Sequence, residues 1–155
     1  MSIQRFTHVG ICVSNMDRAL RFYRDGLGFV YRSELRVAGE PTDTLLELHQ
    51  VDLHACYLER DGTRIELLHY ASPGAVGAAV PRPMNQLGLT HLSLRVSDLA
   101  AIVAALRAVG GVVIERSRID IPAFESAAVF VTDPDGTRIE LVQAPGDPTL
   151  PPGSG

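Results

Sequence analysis

Apolar and polar side chains alternate over residues 6–13, placing Val9, Ile11 and Val13 on one face and His8, Gly10 and Cys12 on the other. That period of two predicts a half-buried strand. Ser14 or Asn15 can cap a helix, along which Met16, Ala19, Leu20 and Tyr23 form an apolar stripe opposite Arg18, Arg21 and Arg24. Gly26 and Gly28 end it, and alternation returns over residues 29–37 as a second strand. Within residues 39–50, Thr42 before an acidic residue and a leucine cluster predicts a short capped helix acting as a lid, with a strand as the competing reading. Residues 53–59 and 64–70 then pair as a hairpin about Arg60-Asp61-Gly62-Thr63.

Residues 73–88, with Pro73, Pro81 and Pro83 among Gly and Ala, read as a linker between a first module (1–72) and a second (89–144). The pattern then restarts. Residues 89–99 lie over residues 6–16 without a gap, and Thr-His recurs at the same strand position, as Thr7-His8 and Thr90-His91. A second helix over 98–109 ends at Gly110 and Gly111, and strands follow over 112–118, 127–132 and 138–143. The heptapeptide Asp-Gly-Thr-Arg-Ile-Glu-Leu occurs twice, at 61–67 and 135–141, so the chain is built from a duplicated unit. The expected fold class is α+β: two βαβββ modules in one chain, forming a cupped, pseudo-twofold mixed sheet. The interval from His91 to Glu140 is nine residues shorter than that from His8 to Glu66, which assigns the lid to the first module only. Residues 145–155 are rich in Pro, Gly and small polar residues and are expected to form a flexible tail.

Composition narrows the function. At 155 residues, with 14 basic against 18 acidic side chains and no basic stripe, the chain is a poor partner for nucleic acid or an anionic membrane. It has no apolar run long enough to span a bilayer and no signal pattern at its start, so a cytoplasmic location is expected. Cys12 and Cys56 lack the spacing of a metal knuckle or redox pair and are expected to be reduced thiols.

The duplication places one His and one Glu at matching positions in each module. A lone histidine near a strand start is ordinarily a satisfied, half-buried group. Here both residue types recur together, whereas His49, His54 and His69 have no counterparts. Two imidazoles and two carboxylates, His8, Glu66, His91 and Glu140, would suit one divalent ion such as Zn, Ni, Co, Mn or Fe. On the same strand faces as the two histidines lie Cys12, Ser93 and Arg95, candidate substrate contacts. Arg95 would pair a substrate carboxylate or phosphate, or else form a rim salt bridge.

These residues carry a family resemblance. The strand with His8, the helix through Arg21-Phe22-Tyr23, the turn Gly26-Leu27-Gly28-Phe29, the His91 strand ending in Val96-Ser97-Asp98-Leu99, and Asp133-Pro134-Asp135-Gly136 before Glu140 resemble the vicinal oxygen chelate superfamily. That superfamily includes glyoxalase I, methylmalonyl-CoA epimerase, extradiol dioxygenases and fosfomycin and bleomycin resistance proteins. The order His, Glu, His, Glu resembles bacterial glyoxalase I. The resemblance implies a metal-dependent lyase or isomerase that moves a proton next to a carbonyl of a small-molecule substrate. It makes Glu140 the first choice of catalytic base and Glu66 the second. It also implies a site formed within one chain or across a dimer, and a homodimer is the expected assembly. Cys12 stands where the bacterial enzymes have an arginine for the glutathione carboxylate, so the thiol and substrate stay open. The competing readings are an epimerase-like isomerase, an extradiol-type dioxygenase and a metal-free drug- or metabolite-binding protein.

Overall fold

The computed structural model describes residues 2–151, which divide into two compact units, one ending at Gly77 and the other starting at Ala78. In the first, strands β1 (Val9–Cys12), β2 (Val30–Ala38), β3 (Asp52–Arg60) and β4 (Thr63–Ser72) form a sheet in the order β1-β4-β3-β2. β1 runs parallel to β4 and the other neighbours are antiparallel. Helix α1 (Met16–Leu20) starts where the Asn15 side chain accepts the Arg18 N–H at 2.9 Å. It continues through wider π-helical turns over Arg21–Gly26. Met16, Ala19, Phe22 and Tyr23 are buried with Ile11, Val13, Leu58, Ile65 and Leu67. Burying each of the larger side chains contributes about 2 kcal/mol, and this core fixes which face of each strand remains available for chemistry.

The segment expected to act as a lid contains a helix, α2 (Thr42–Leu46), and not the competing strand. Its cap differs from expectation: Thr42 is the first helical residue, and Glu40 accepts the N–H and hydroxyl of Thr44. Asp43 accepts the N–H groups of Gln50 and Val51, tying α2 to the start of β3.

The second unit has β5 (His91–Arg95), α3 (Leu99–Ala108), β6 (Val112–Val113), β7 (Ile119–Ile121), β8 (Ser126–Thr132) and β9 (Arg138–Gln143). Its strand order is β5-β9-β8-β6, with β7 also on β8 and β5 parallel to β9. Asp98 caps α3 by accepting the Ala101 N–H, and Leu99, Val103 and Leu106 are its buried side. The strand expected over 112–118 is broken. The Ser117 hydroxyl donates to the Ile114 carbonyl and accepts the Phe130 N–H, so a side chain takes the place of a ladder bond. The chain turns there and re-pairs as β7, which the alternation did not disclose. The carbonyls of Ala144 and Pro145 are held by Arg95, while residues 152–155 lie outside the described part. The fold is thus α+β with two mixed sheets, and no helix among the described residues is long and apolar enough to cross a membrane.

Candidate metal centre

In each unit, parallel pairing of the first and last strands sets a histidine beside a glutamate. Gly10 lies opposite Glu66 and Ser93 opposite Glu140, so a histidine two residues earlier reaches across to the same carboxylate. Ile65, Leu67, Ile139 and Leu141 are wholly buried, which forces the glutamates between them to the other face. His8 Nε2 is 3.0 Å from Glu66 Oε2, and His91 Nε2 is 3.6 Å from Glu140 Oε2.

The other ring nitrogen has the same partner in both units. Thr7 Oγ1 is 3.0 Å from His8 Nδ1, and Thr90 Oγ1 is 2.8 Å from His91 Nδ1. A hydroxyl can donate or accept, so each imidazole can keep this bond while Nε2 changes from N–H donor to lone-pair ligand. Outer hydrogen bonds of this kind orient metal-bound histidines. The pairs therefore fit a divalent ion by donor chemistry and by the bond that fixes each ring.

The surroundings of the two glutamates differ. Tyr57 lies opposite Glu66 on β3, with its ring edge-on to His8 at 5.6 Å. Its hydroxyl donates to Glu66, and this bond to an anion pushes the phenol up to about 12. Phe130 occupies the matching place opposite Glu140, 5.4 Å from the His91 ring, and has no hydroxyl to offer. The donor to Glu140 is instead Ser93, whose Oγ is 2.7 Å from Oε2; in the first unit that position is Gly10. Tyr57 and Phe130 were missed in the sequence because nothing marks them until hairpin register is known.

Glu140 also borders a cavity of about 640 Å³, walled by Ile119, Ile121, Phe124, Val142 and Leu150 among others. Arg95 lies at this cavity, but its guanidinium donates to the carbonyls of Ala144 and Pro145, so neither expected role, anion clamp or rim salt bridge, describes these bonds. Cys12 is on the His8 face of β1, paired in register with Leu68, and neither cysteine is in a disulfide.

Two units that each present His and Glu from a parallel strand pair define the vicinal oxygen chelate class of fold. Residues 5–141 match the sequence pattern of the Glyoxalase/Bleomycin resistance protein/Dioxygenase superfamily, and the chain belongs to that superfamily. It is 32% identical over 146 residues to a probable lactoylglutathione lyase of Vibrio cholerae, covering 92% of this chain and 93% of that one. It is 28% identical over 138 residues to a lactoylglutathione lyase of Haemophilus influenzae, covering 88% and 90% respectively. A glyoxalase family protein of Bacillus cereus has the same fold, with a TM-score of 0.79 at 20% identity over 94% of this chain and 97% of that one.

Proposed function

We propose that the protein is a glyoxalase-like lyase or isomerase in which His8, Glu66, His91 and Glu140 hold one divalent ion and Glu140 is the base. The observation that carries this reading is the repeated Thr–His–Glu arrangement, with both Nε2 atoms turned toward carboxylates. Such an ion supplies Lewis-acid stabilisation of the charge that develops on a substrate oxygen when the adjacent carbon loses a proton. Glu140 takes that proton and returns it to the neighbouring carbon or to the opposite face of the same carbon. The Ser93 hydroxyl holds Oε2 during this transfer. Glu140 is favoured over Glu66 because it borders the cavity and is the more exposed carboxylate, at 31% against 13%.

The apolar wall favours a substrate whose group near Glu140 is uncharged. This supports a small apolar carbonyl compound or its thiol adduct over a glutathione conjugate, which carries two carboxylates and an ammonium. We place the enzyme in the cytoplasm, acting on small molecules as a homodimer. Chelator-treated protein assayed with methylglyoxal plus various thiols, and with methylmalonyl-CoA, tests the reading under Ni, Co and Zn. Turnover restored by one of these ions is expected. Equal turnover of the metal-free protein would overturn the proposed role of the ion.

A further inference from the structure

On the opposite face of the first sheet from His8 and Glu66, three side chains of different chemistry converge. Strand alternation directs Cys56 away from its neighbour Tyr57, and register sets Cys56 opposite Glu34 and His54 opposite Arg36. His54 Nε2 lies 2.8 Å from Glu34 Oε2 and 3.4 Å from Cys56 Sγ, and the three ligand atoms all fall within 4.8 Å of one another. We propose that Glu34, His54 and Cys56 form a second metal site, for a thiophilic divalent ion such as Zn(II), which clamps strand β2 to β3.

Geometry and donor chemistry support this. A tetrahedral ion with bonds of about 2.3 Å to sulfur and about 2.0 Å to nitrogen and oxygen separates S from N by about 3.5 Å and N from O by about 3.3 Å. The observed separations of 3.4 and 2.8 Å approach those edges, and the third pair of ligand atoms lies within 4.8 Å. One Nε2 proton serves the carboxylate well and the sulfur weakly, whereas a cation among the three takes a lone pair from each. The carboxylate is already divided: Glu34 Oε1 faces Arg36 Nε at 3.7 Å, leaving Oε2 for the cluster. Thiolate with imidazole selects Zn over the hard cations. Burial pushes the Cys56 thiol up, so ion binding releases one proton from sulfur to solvent, and affinity rises with pH. Among the described residues β2 is an edge strand, paired only with β3, so a tie across these two strands acts where the sheet is least supported.

Cobalt distinguishes this site from the one proposed for catalysis, whose ligands contain no sulfur. Chelator-treated full-length protein is titrated with Co(II) and observed for thiolate-to-cobalt charge transfer in the near ultraviolet. The expected band disappears in Cys56→Ser, persists in Cys12→Ser, and is unaffected by Glu140→Gln. No band in the unsubstituted protein, or one lost in Cys12→Ser and retained in Cys56→Ser, overturns the proposal. Should Cys56→Ser not fold, Glu34→Gln at its half-exposed edge position provides the test. Cobalt affinity at least tenfold weaker is expected there, and unchanged affinity overturns the site.

Discussion

The same seven residues, Asp-Gly-Thr-Arg-Ile-Glu-Leu, are built into two different turns. In the first unit Asp61 and Gly62 both have left-handed φ, 51° and 75°, and make a two-residue turn between Arg60 and Thr63. In the second, the hairpin needs the five residues 133–137. Pro134 cannot donate a ladder bond, and buried Asp133 gathers the N–H groups of Asp135 and Thr137 at 2.9 and 2.8 Å. What precedes the heptapeptide chooses the turn; the buried Ile and Leu on either side of the glutamate choose its face. The two glutamates thus reach equivalent places on their strands with different neighbours, a tyrosine for Glu66 and a serine beside a cavity for Glu140.

The largest effect should separate those carboxylates. Glu140→Gln is expected to lower kcat by about 10³-fold with secondary structure intact, as for loss of a general base. Glu66→Gln should act mainly on metal retention, and at saturating metal should keep kcat within about tenfold of the unsubstituted value. Parallel kinetics and metal content check this, and the reverse pattern would make Glu66 the base. A stability contrast comes next. A Cβ on Gly136 would lie 2.7–2.8 Å from Val80 backbone atoms at a φ of 91°, whereas one on Gly62 meets nothing within 4 Å. Gly136→Ala should cost about 3 kcal/mol and Gly62→Ala about 1 kcal/mol, read from denaturant midpoints. Equal costs would show that the Val80 segment yields freely. Arg95→Ala should follow, at about 2 kcal/mol, by releasing the carbonyls of Ala144 and Pro145. Faster proteolysis near the C-terminus should accompany that loss; an unchanged cleavage rate would show that Arg95 does not hold the segment.

Most of the strands, and the recurrence of one His and one Glu in each module, were legible because duplication supplied an internal control: Thr-His and Ile-Glu recur at matching places. What was not legible depended on events with no periodic signature. Ser117 breaks a strand with one hydroxyl, Glu40 caps α2 from outside the expected box, and Arg95 turns to backbone carbonyls that only the folded chain brings near. The cluster of Glu34, His54 and Cys56 was hidden for another reason. His54 has no counterpart in the second module, so repetition does not mark it.

The smallest effect concerns the Tyr57–Phe130 difference and can be read without any substrate. Tyr57 is raised from 10.0 to about 12 because its neutral hydroxyl donates to Glu66, with burial adding to the shift. A raised acid stabilises the fold while protonated: the contribution is complete below pH 10, the unfolded value, and disappears as pH climbs through about 12. Phe130 holds the equivalent position in the second unit and contributes nothing of this kind. Phenolate absorbance should therefore include a contribution from Tyr57 titrating near pH 12, and Tyr57→Phe should remove that contribution. At neutral pH the substitution should cost about 1 kcal/mol, the worth of one hydrogen bond to a partly exposed anion. The cost should be constant from pH 7 to 10 and shrink above that. If Tyr57 titrates near pH 10, its hydroxyl does not hold Glu66, and the two carboxylates are more alike than their neighbours imply.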